Sequence, residues 1–200
     1  GCMILVPGGG YQRCGGDWID AVAKRFIEEG FVCVRLTYRT PRPKGLPIYQ
    51  TAWEDGQRAV RLVRSEAQKR GFNPEKIGVM GASAGAHLTT LLATSSLTPA
   101  YEAIDQLDAI PCHINWAVLA CSAYVLTDGL TGPNTRKGDA IDVKLSDAFK
   151  FDTKTCPMAL FHGGKDGHSP NGSTRIYRQL RRMNIPAEIH LFADRGHVFF

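Results

Sequence analysis

Along the chain, short apolar runs alternate with segments whose apolar residues recur every three or four positions. The short runs are typical of buried strands, and the periodic segments are typical of amphipathic helices. The predicted strands cover residues 2–6, 31–36, 77–80, 115–120, 157–161 and 188–192. The predicted helices cover residues 18–29, 51–70, 84–94 and 173–183, with a short one at 146–149. This alternation predicts an α/β fold with a mainly parallel sheet of about six strands and helices on both faces.

The pattern predicts a single domain over residues 1–200, interrupted by three irregular stretches. Residues 95–113 and 127–144 are rich in residues that break regular structure, and we expect loop or small lid-like excursions there. Thr40–Pro47 carries three prolines and leaves the carboxyl end of a strand, where open α/β sheets bind ligands. We therefore expect this loop at the substrate cleft. Asp17 is the expected N-cap of the first helix.

Composition and charge exclude several classes of protein. Of the 200 residues, 44% are hydrophobic and 22% are charged, which is typical of an ordinary globular domain. No apolar run approaches the ~20 residues of a membrane-spanning helix, and the N-terminal residues do not resemble a signal peptide. The net charge of +5 is modest, and we interpret the arginines within residues 175–182 as a solvated helix face. No nucleic-acid or membrane partner is predicted.

The cysteines and histidines do not have the spacing of a metal site. Neither the six cysteines nor the six histidines show the short repeats that hold zinc. Cysteines in or beside predicted strands are expected to pack as small apolar residues. Cys14 and Cys112 fall in predicted loops, and the sequence leaves open whether they form a disulfide.

The most informative stretch is Gly81-Ala82-Ser83-Ala84-Gly85, which lies between a predicted strand and a predicted helix. A G-x-S-x-G sequence in that context is typical of a nucleophile elbow, a sharp turn that exposes a serine hydroxyl. The two glycines are needed because side chains there would collide with the neighbouring strand and helix. The sequence thus predicts Ser83 as a nucleophile.

A serine nucleophile needs a histidine base and a carboxylate that orients it. We predict His197 as the base and Asp166 as the acid, because each follows a late strand and the order serine, acid, histidine is that of the α/β-hydrolase arrangement. The rival histidines His87, His113, His162, His168 and His190 are expected to be structural, exposed or out of order. Asp194 is the main rival acid, followed by Asp128 and Asp139.

Catalysis by such a serine also requires N–H donors for the oxyanion of the tetrahedral intermediate. The elbow provides the Ala84 N–H at the start of a helix, where the helix dipole adds to the effect. The loop Gly8-Gly9-Gly10-Tyr11 follows the first strand and is the expected source of the second donor, the N–H of Gly9 or Gly10. We also assign Tyr11 to the oxyanion and substrate-binding group.

Together these motifs resemble the α/β-hydrolase superfamily, and within it the bacterial esterase and lipase branch with acetyl xylan and feruloyl esterases. The resemblance rests on Pro7–Tyr11, Tyr38-Arg39, Asp55–Ala59, Gly81–Leu88, His162–Asp166 and Gly196-His197. It implies a hydrolase without metal or cofactor, working through an acyl-enzyme on a small or acylated-carbohydrate substrate. It also favours a bacterial secreted or periplasmic location.

The chain departs from that branch in two respects. Ala86 stands where relatives commonly carry glycine. The chain starts at the strand bearing the glycine loop and stops three residues after His197, whereas relatives usually have further first strands and a last helix. We therefore expect uncovered apolar sheet surface, and a trimmed chain or packing against another copy as a homodimer.

The leading hypothesis is a serine esterase that releases short acyl groups from a carbohydrate or small ester, with acetyl favoured by the resemblance. Two alternatives stay open. One is a peptidase of the prolyl-oligopeptidase type, which shares the elbow and the triad but usually carries a propeller domain. The other is a non-catalytic binding protein with a hydrolase fold.

Overall fold

The apolar runs of the sequence form six strands, and the periodic segments form the helices between them. In the computed structural model, which describes residues 1–127 and 143–199, the strands are β1 (Cys2–Val6), β2 (Val32–Arg35), β3 (Ile77–Ala82), β4 (Trp116–Ala120), β5 (Met158–Gly163) and β6 (Ala187–Phe192). The helices are α1 (Trp18–Glu28), α2 (Gln50–Ser65), α3 (Ala84–Thr94) and α4 (Asn171–Arg182), with a 3-10 helix at Gln106–Ala109.

All six strands are parallel and form one sheet in the order β2–β1–β3–β4–β5–β6. Val6 at the end of β1 pairs with Gly81 in β3, and Gly163 at the end of β5 pairs with Phe192 in β6. Parallel strands end at the same edge of the sheet. The loops after β1, β3, β5 and β6 therefore meet at one edge.

Helices cover both faces of the sheet, as predicted. Met3 and Leu5 of β1 pack with α1, whereas Ile4 and Val6 belong to the larger core shared with α2, α3 and α4. A strand buried on both faces has no polar alternation, which explains the continuous apolar run of β1. On the α1 face, an apolar groove of about 400 Å³ runs along β4, β5 and β6. The uncovered apolar surface expected from the sequence lies there.

Two local predictions were wrong. Helix α2 ends at Ser65 rather than near Arg70, because the Ala67 N–H turns to the Arg64 carbonyl three residues earlier at 3.3 Å. Residues 146–149 form a turn instead of a helix, since the Ser146 carbonyl accepts the Phe149 N–H and the Ser146 hydroxyl accepts the Ala148 N–H. Asp17 is at the N-cap of α1 as predicted, although its side chain makes no capping hydrogen bond.

Residues 95–113 do not form a lid over the strand ends. Arg58 on α2 binds Asp105 at 2.6 Å and Asp108 at 3.0 Å, and Gln57 bonds the backbone of Thr98 and Ala100. These contacts hold the segment against α2, on the face of the sheet that α2 covers. The predicted excursion is therefore a structural element of the α2 layer.

Two further expectations concern the cysteines and the second irregular stretch. All six cysteines are free, so the possible disulfide between Cys14 and Cys112 does not form; their thiols contact the carbonyls of Tyr38 and Ser96 instead. Of the predicted loop 127–144, residues 128–142 lie outside the described residues. Within the described ranges, no helix is long and apolar enough to cross a membrane.

Candidate active site

Ser83 lies at the turn between β3 and α3, with backbone angles φ 58° and ψ −122° that a non-glycine residue rarely adopts. The turn can be this sharp because its flanking residues are glycines. A Cβ on Gly81 would lie 2.2 Å from the Gly85 carbonyl oxygen, and a Cβ on Gly85 would lie 2.3 Å from the Val6 carbonyl oxygen. The geometry is that of the predicted elbow.

Gly85→Ala is expected to destabilise the fold by about 1–3 kcal/mol, because the new methyl group overlaps the backbone of β1 and cannot move aside. The measurement is the midpoint of urea unfolding. Gly196→Ala is the matched control, since nothing lies within 4 Å of its Cβ position. Equal midpoints for Gly85→Ala and the wild type would show that the elbow is looser than the structure indicates.

A continuous line of hydrogen bonds joins Ser83, His197 and Asp166. The Ser83 Oγ lies 2.8 Å from His197 Nε2, and His197 Nδ1 lies 2.8 Å and 3.0 Å from the two carboxylate oxygens of Asp166. An ionised carboxylate only accepts hydrogen bonds, so the ring proton is on Nδ1 and Nε2 accepts from the serine hydroxyl. The three predicted residues therefore meet, although 114 positions separate Ser83 from His197.

The Asp166 carboxylate is buried but well supplied with donors. Besides His197, it accepts the His168 N–H at 2.8 Å, and His162 Nε2 lies 3.3 Å away. Burial alone raises the pKa of Asp166, but the bonds from His162, His197 and the His168 N–H outweigh it and hold the pKa below its ordinary value. The carboxylate therefore stays ionised through the mildly acidic range.

The rival residues do not take the place of Asp166 or His197. Asp194 is exposed and pairs with Lys165 at 2.9 Å rather than with His197. His162 is buried and bonds Ser173 at 2.8 Å, His190 is half-exposed on β6, and His113 lies 3.7 Å from Glu75. The further candidates Asp128 and Asp139 lie outside the described residues.

The glycine loop lies against the elbow. A Cβ on Gly8 would be 3.1 Å from the Ser83 Cβ, and Gly9 and Gly10 have φ values of 114° and 62° that favour glycine. Ala84 is the first residue of α3, so its N–H has no acceptor within the helix. The glycine loop and the beginning of α3 thus both adjoin Ser83.

Tyr11 does not present its side chain to the cleft, contrary to its assignment as a substrate-binding residue. Its ring is buried, and its hydroxyl forms a 2.7 Å hydrogen bond with Nδ1 of His87 on α3. Because its hydroxyl is already bonded, the donor that Tyr11 could still offer to a substrate is its backbone N–H. The Tyr11–His87 bond instead anchors the end of the glycine loop to the helix that follows Ser83.

His87→Asn is expected to flatten the acid dependence of stability. Burial lowers the pKa of His87 to about 3 from 6.5, so the unfolded chain takes up a proton that the folded chain refuses. The free energy of unfolding therefore falls as the pH drops from about 6.5 towards 3. Thermal melts across this window should show a shallower fall for His87→Asn, because asparagine does not take up a proton. Asparagine also keeps a polar atom near the Nδ1 position for the Tyr11 hydroxyl.

A matched control for this prediction is the half-exposed His190→Asn, which should keep the wild-type dependence. A smaller slope remains in His87→Asn because burial also lowers the pKa of His168, to about 4. The prediction is wrong if both asparagine variants lose stability with acid as steeply as the wild type.

The hydroxyl of Ser83 opens into a cleft of about 780 Å³. Besides the glycine loop, its walls include residues that were not assigned to the site from the sequence: Arg13, Asp17, Trp18, Tyr124, His168 and Val198. Each follows the carboxyl end of a strand, which is the signal that could have identified them. The Thr40–Pro47 loop supplies no wall of this cleft, but its Arg42 contacts the glycine loop and Tyr124.

In the part of the chain that the structure describes, one group of three potential metal ligands lies within 4.8 Å: Cys121, Asp166 and His197. Two of its members are already hydrogen-bonded to each other, and the third is a buried thiol whose pKa burial raises to about 11. A thiol binds a metal as the thiolate, so this environment disfavours a metal centre.

Two curated proteins are similar to this chain in sequence. The chain is 27% identical over 206 residues to endo-1,4-beta-xylanase B of Butyrivibrio fibrisolvens, covering 98% of this chain and 32% of that protein. It is 30% identical over 103 residues to an acetylxylan esterase of Xylanibacter ruminicola, covering 47% of this chain and 19% of that protein. The chain thus spans about a third or less of these relatives.

Among solved structures, the chain is similar to an acetyl ester-xyloside bifunctional hydrolase from Caldicellulosiruptor lactoaceticus. The TM-score is 0.79 at 25% identity, over 98% of this chain and 73% of the other. The BD-FAE family model matches residues 1–115, more than half of the chain and the part that holds the glycine loop and the elbow. The chain therefore belongs to the BD-FAE family, an α/β-hydrolase esterase family.

Proposed function

We propose that this protein is a serine ester hydrolase that removes short acyl groups, acetyl foremost, from a carbohydrate or small ester. The observation that carries the proposal is the unbroken line of hydrogen bonds from the Asp166 carboxylate through the His197 ring to the Ser83 hydroxyl, all within 3.0 Å. Ser83 is the nucleophile, His197 the general base and Asp166 the carboxylate that orients the base.

In the first half of the reaction, the Ser83 oxygen attacks the ester carbonyl while its proton moves to His197 Nε2. Asp166 stabilises the imidazolium that forms. The oxyanion accepts N–H bonds from Ala84 and from Gly9 or Gly10, each of which contributes about 3–4 kcal/mol in the transition state. His197 then returns its proton to the leaving alcohol, and Ser83 is left acylated.

In the second half, water attacks the acyl-enzyme with His197 again as the base. The acid is released, and the serine hydroxyl is restored. His168 beside the base does not compete for the proton, because burial and the neighbouring His197 lower the pKa of His168 to about 4. No step needs a redox or group-carrying cofactor.

The substrate class is proposed from the walls of the cleft and from the relatives. Trp18 offers an apolar ring, and Arg13 and Asp17 offer a donor and an acceptor, a combination that suits the mixed apolar and hydroxyl surface of a sugar. Two of the similar proteins carry acetyl esters or acetylxylan in their names. We therefore place the alcohol part of a carbohydrate ester in this cleft.

The test is a substrate panel for the wild type beside Ser83→Ala. We expect serine-dependent release of acetate from acetylated xylo-oligosaccharides, and p-nitrophenyl acetate turnover that exceeds that of the octanoate ester. Serine-dependent turnover of the small esters without acetate release from the oligosaccharides would refute the carbohydrate part of the proposal. Cleavage of a prolyl peptide without any ester turnover would favour a peptidase instead.

A further inference from the structure

The glycine loop has little intrinsic stiffness, although the proposed function requires its N–H groups to point in fixed directions. Gly9 and Gly10 have no side chain, and glycine occupies positive and negative φ with similar ease. In a planar trans peptide, each carbonyl points opposite to the N–H of the following residue. The direction of each N–H in the loop is therefore set by whatever binds the preceding carbonyl.

Two of the three carbonyls accept hydrogen bonds from backbone N–H groups a few residues later in the chain. The Gly8 carbonyl accepts the Gly15 N–H at 3.1 Å and the Tyr38 hydroxyl at 3.2 Å. The Gly9 carbonyl accepts the N–H groups of Gln12 and Arg13 at 3.0 Å and 3.3 Å. These bonds fix the peptides that carry the Gly9 and Gly10 N–H groups.

The third carbonyl depends on a side chain from another loop. Among the described residues, the Gly10 carbonyl has one donor, Arg42 Nε at 2.8 Å, from 32 positions along the chain. Arg42 Nη2 donates to the Tyr124 hydroxyl oxygen at 3.0 Å, and the guanidinium carbon lies 5.5 Å from the Tyr124 ring centre. Arg42 forms no ion pair with a carboxylate in the described ranges, so these contacts account for its placement.

We propose that Arg42 is a positioning residue for the oxyanion-binding loop. Its bond holds the Gly10–Tyr11 peptide, which directs the Tyr11 N–H. Together with the bonds to the Gly9 carbonyl, it therefore fixes Gly10 from both sides. Tyr124 holds the guanidinium in place through its hydroxyl and ring. The inference rests on the proposed function, because a fixed loop matters only if its N–H groups bind an oxyanion.

Substrate binding and general stabilisation explain these contacts less well than positioning of the loop does. Arg42 is absent from the walls of the cleft, and its Nε is occupied by the loop carbonyl. Arg39, in contrast, three residues earlier, is an arginine held by Glu54 and Asp55 on α2, at 2.7 Å and 2.8 Å. The stabilising contacts of this segment are therefore made by Arg39, whereas Arg42 reaches the glycine loop.

The test uses Arg42→Gln, Arg42→Lys and Tyr124→Phe, with Lys44→Gln as the control that removes the same charge from an exposed position in the same loop. Measured for each are kcat and KM with p-nitrophenyl acetate, the second-order rate of phosphonate reaction, and the thermal midpoint. Arg42→Gln is expected to lower kcat and the phosphonate rate by about five- to thirty-fold, the cost of ordering one loop residue in the transition state.

KM and the thermal midpoint of Arg42→Gln should stay near the wild-type values, because the substrate contacts and the Arg39 ion pairs are retained. Arg42→Lys should recover part of kcat, since an ammonium group can also donate to the carbonyl, and Tyr124→Phe should lose less than Arg42→Gln. Lys44→Gln should match the wild type.

A wild-type kcat in Arg42→Gln, or a change in KM alone, would overturn the inference while Ser83→Ala still shows the esterase mechanism. Equal losses in Arg42→Gln and Lys44→Gln would also overturn it, because the charge rather than the bond would then matter. If the wild type itself shows no serine-dependent turnover, the proposed function fails, and the inference fails with it.

Discussion

Ser83→Ala is expected to lower kcat for p-nitrophenyl acetate by about four orders of magnitude or more, the loss typical when a nucleophile of a hydrogen-bonded triad is removed. The methyl group cannot attack the ester, and water has no comparable position beside His197. The fold should be unaffected, because Ser83 donates one side-chain hydrogen bond, to His197 Nε2 at 2.8 Å. Steady-state kinetics and a thermal melt of the same preparation test both expectations.

Ser122→Ala is the matched control for this variant. Ser122 also follows a strand, β4, but its hydroxyl is buried and has no hydrogen-bond partner among the described residues. The kcat of Ser122→Ala should lie within about two-fold of the wild type, since removing an unbonded hydroxyl breaks no hydrogen bond. Comparable activity of Ser83→Ala and Ser122→Ala would mean that Ser83 is not the nucleophile.

Asp166→Asn is expected to lower kcat at neutral pH by about three to four orders of magnitude, with a much smaller change in KM. An amide in place of the carboxylate can donate to His197 Nδ1, which puts the ring proton on Nε2 and leaves no acceptor for the serine proton. The amide also removes the negative charge that stabilises the imidazolium. Steady-state kinetics at neutral pH and at several higher pH values measure the loss of kcat.

Asp194→Asn decides between the two acids that follow late strands. The Asp194 carboxylate pairs with Lys165 at 2.9 Å and is solvent-exposed, so its neutralisation should change kcat by less than about two-fold. The account would be contradicted if Asp194→Asn lost activity as severely as Asp166→Asn, since the acid would then be assigned to the wrong residue.

The sequence sufficed to predict the meeting of Ser83, Asp166 and His197. The three residues lie just past β3, β5 and β6, and parallel strands place all such positions at one edge. The elbow was also predictable, because a G-x-S-x-G sequence between a strand and a helix is typical of it. In the structure, a Cβ on either glycine would lie 2.2 Å or 2.3 Å from a backbone oxygen, so both positions require glycine. Local pattern and strand order therefore specify the central geometry.

The paths of the loops could not be predicted, because long-range contacts decide them. Arg58 binds Asp105 from 47 positions away and draws residues 95–113 onto α2, although their composition suggested a lid. Tyr11 follows three exposed-looking glycines, but its hydroxyl finds His87, 76 positions later, and the ring is buried. Such partners have no signature in the local pattern of hydrophobic and polar residues.

The wall of the cleft illustrates the same limit. Tyr124 lies past β4 in a segment that showed no motif, and His168 lies past β5, where it was expected to be structural, exposed or out of order. Their rings lie 5.6 Å apart because β4 and β5 are neighbours in the sheet. Arg42 was expected near the substrate as part of a proline-punctuated loop. Instead, Arg42 lies outside the walls of the cleft and donates to the Gly10 carbonyl of the glycine loop, a contact that only the three-dimensional arrangement reveals.

The measurement that tests the central claim most directly is the intact mass of the folded protein after treatment with a fluorophosphonate, followed by peptide mapping. The account predicts one adduct per chain, on the peptide that contains Ser83, and no adduct in Ser83→Ala or in the denatured wild type. An unmodified wild type, or an equal adduct in Ser83→Ala, would contradict the claim that His197 and Asp166 activate Ser83.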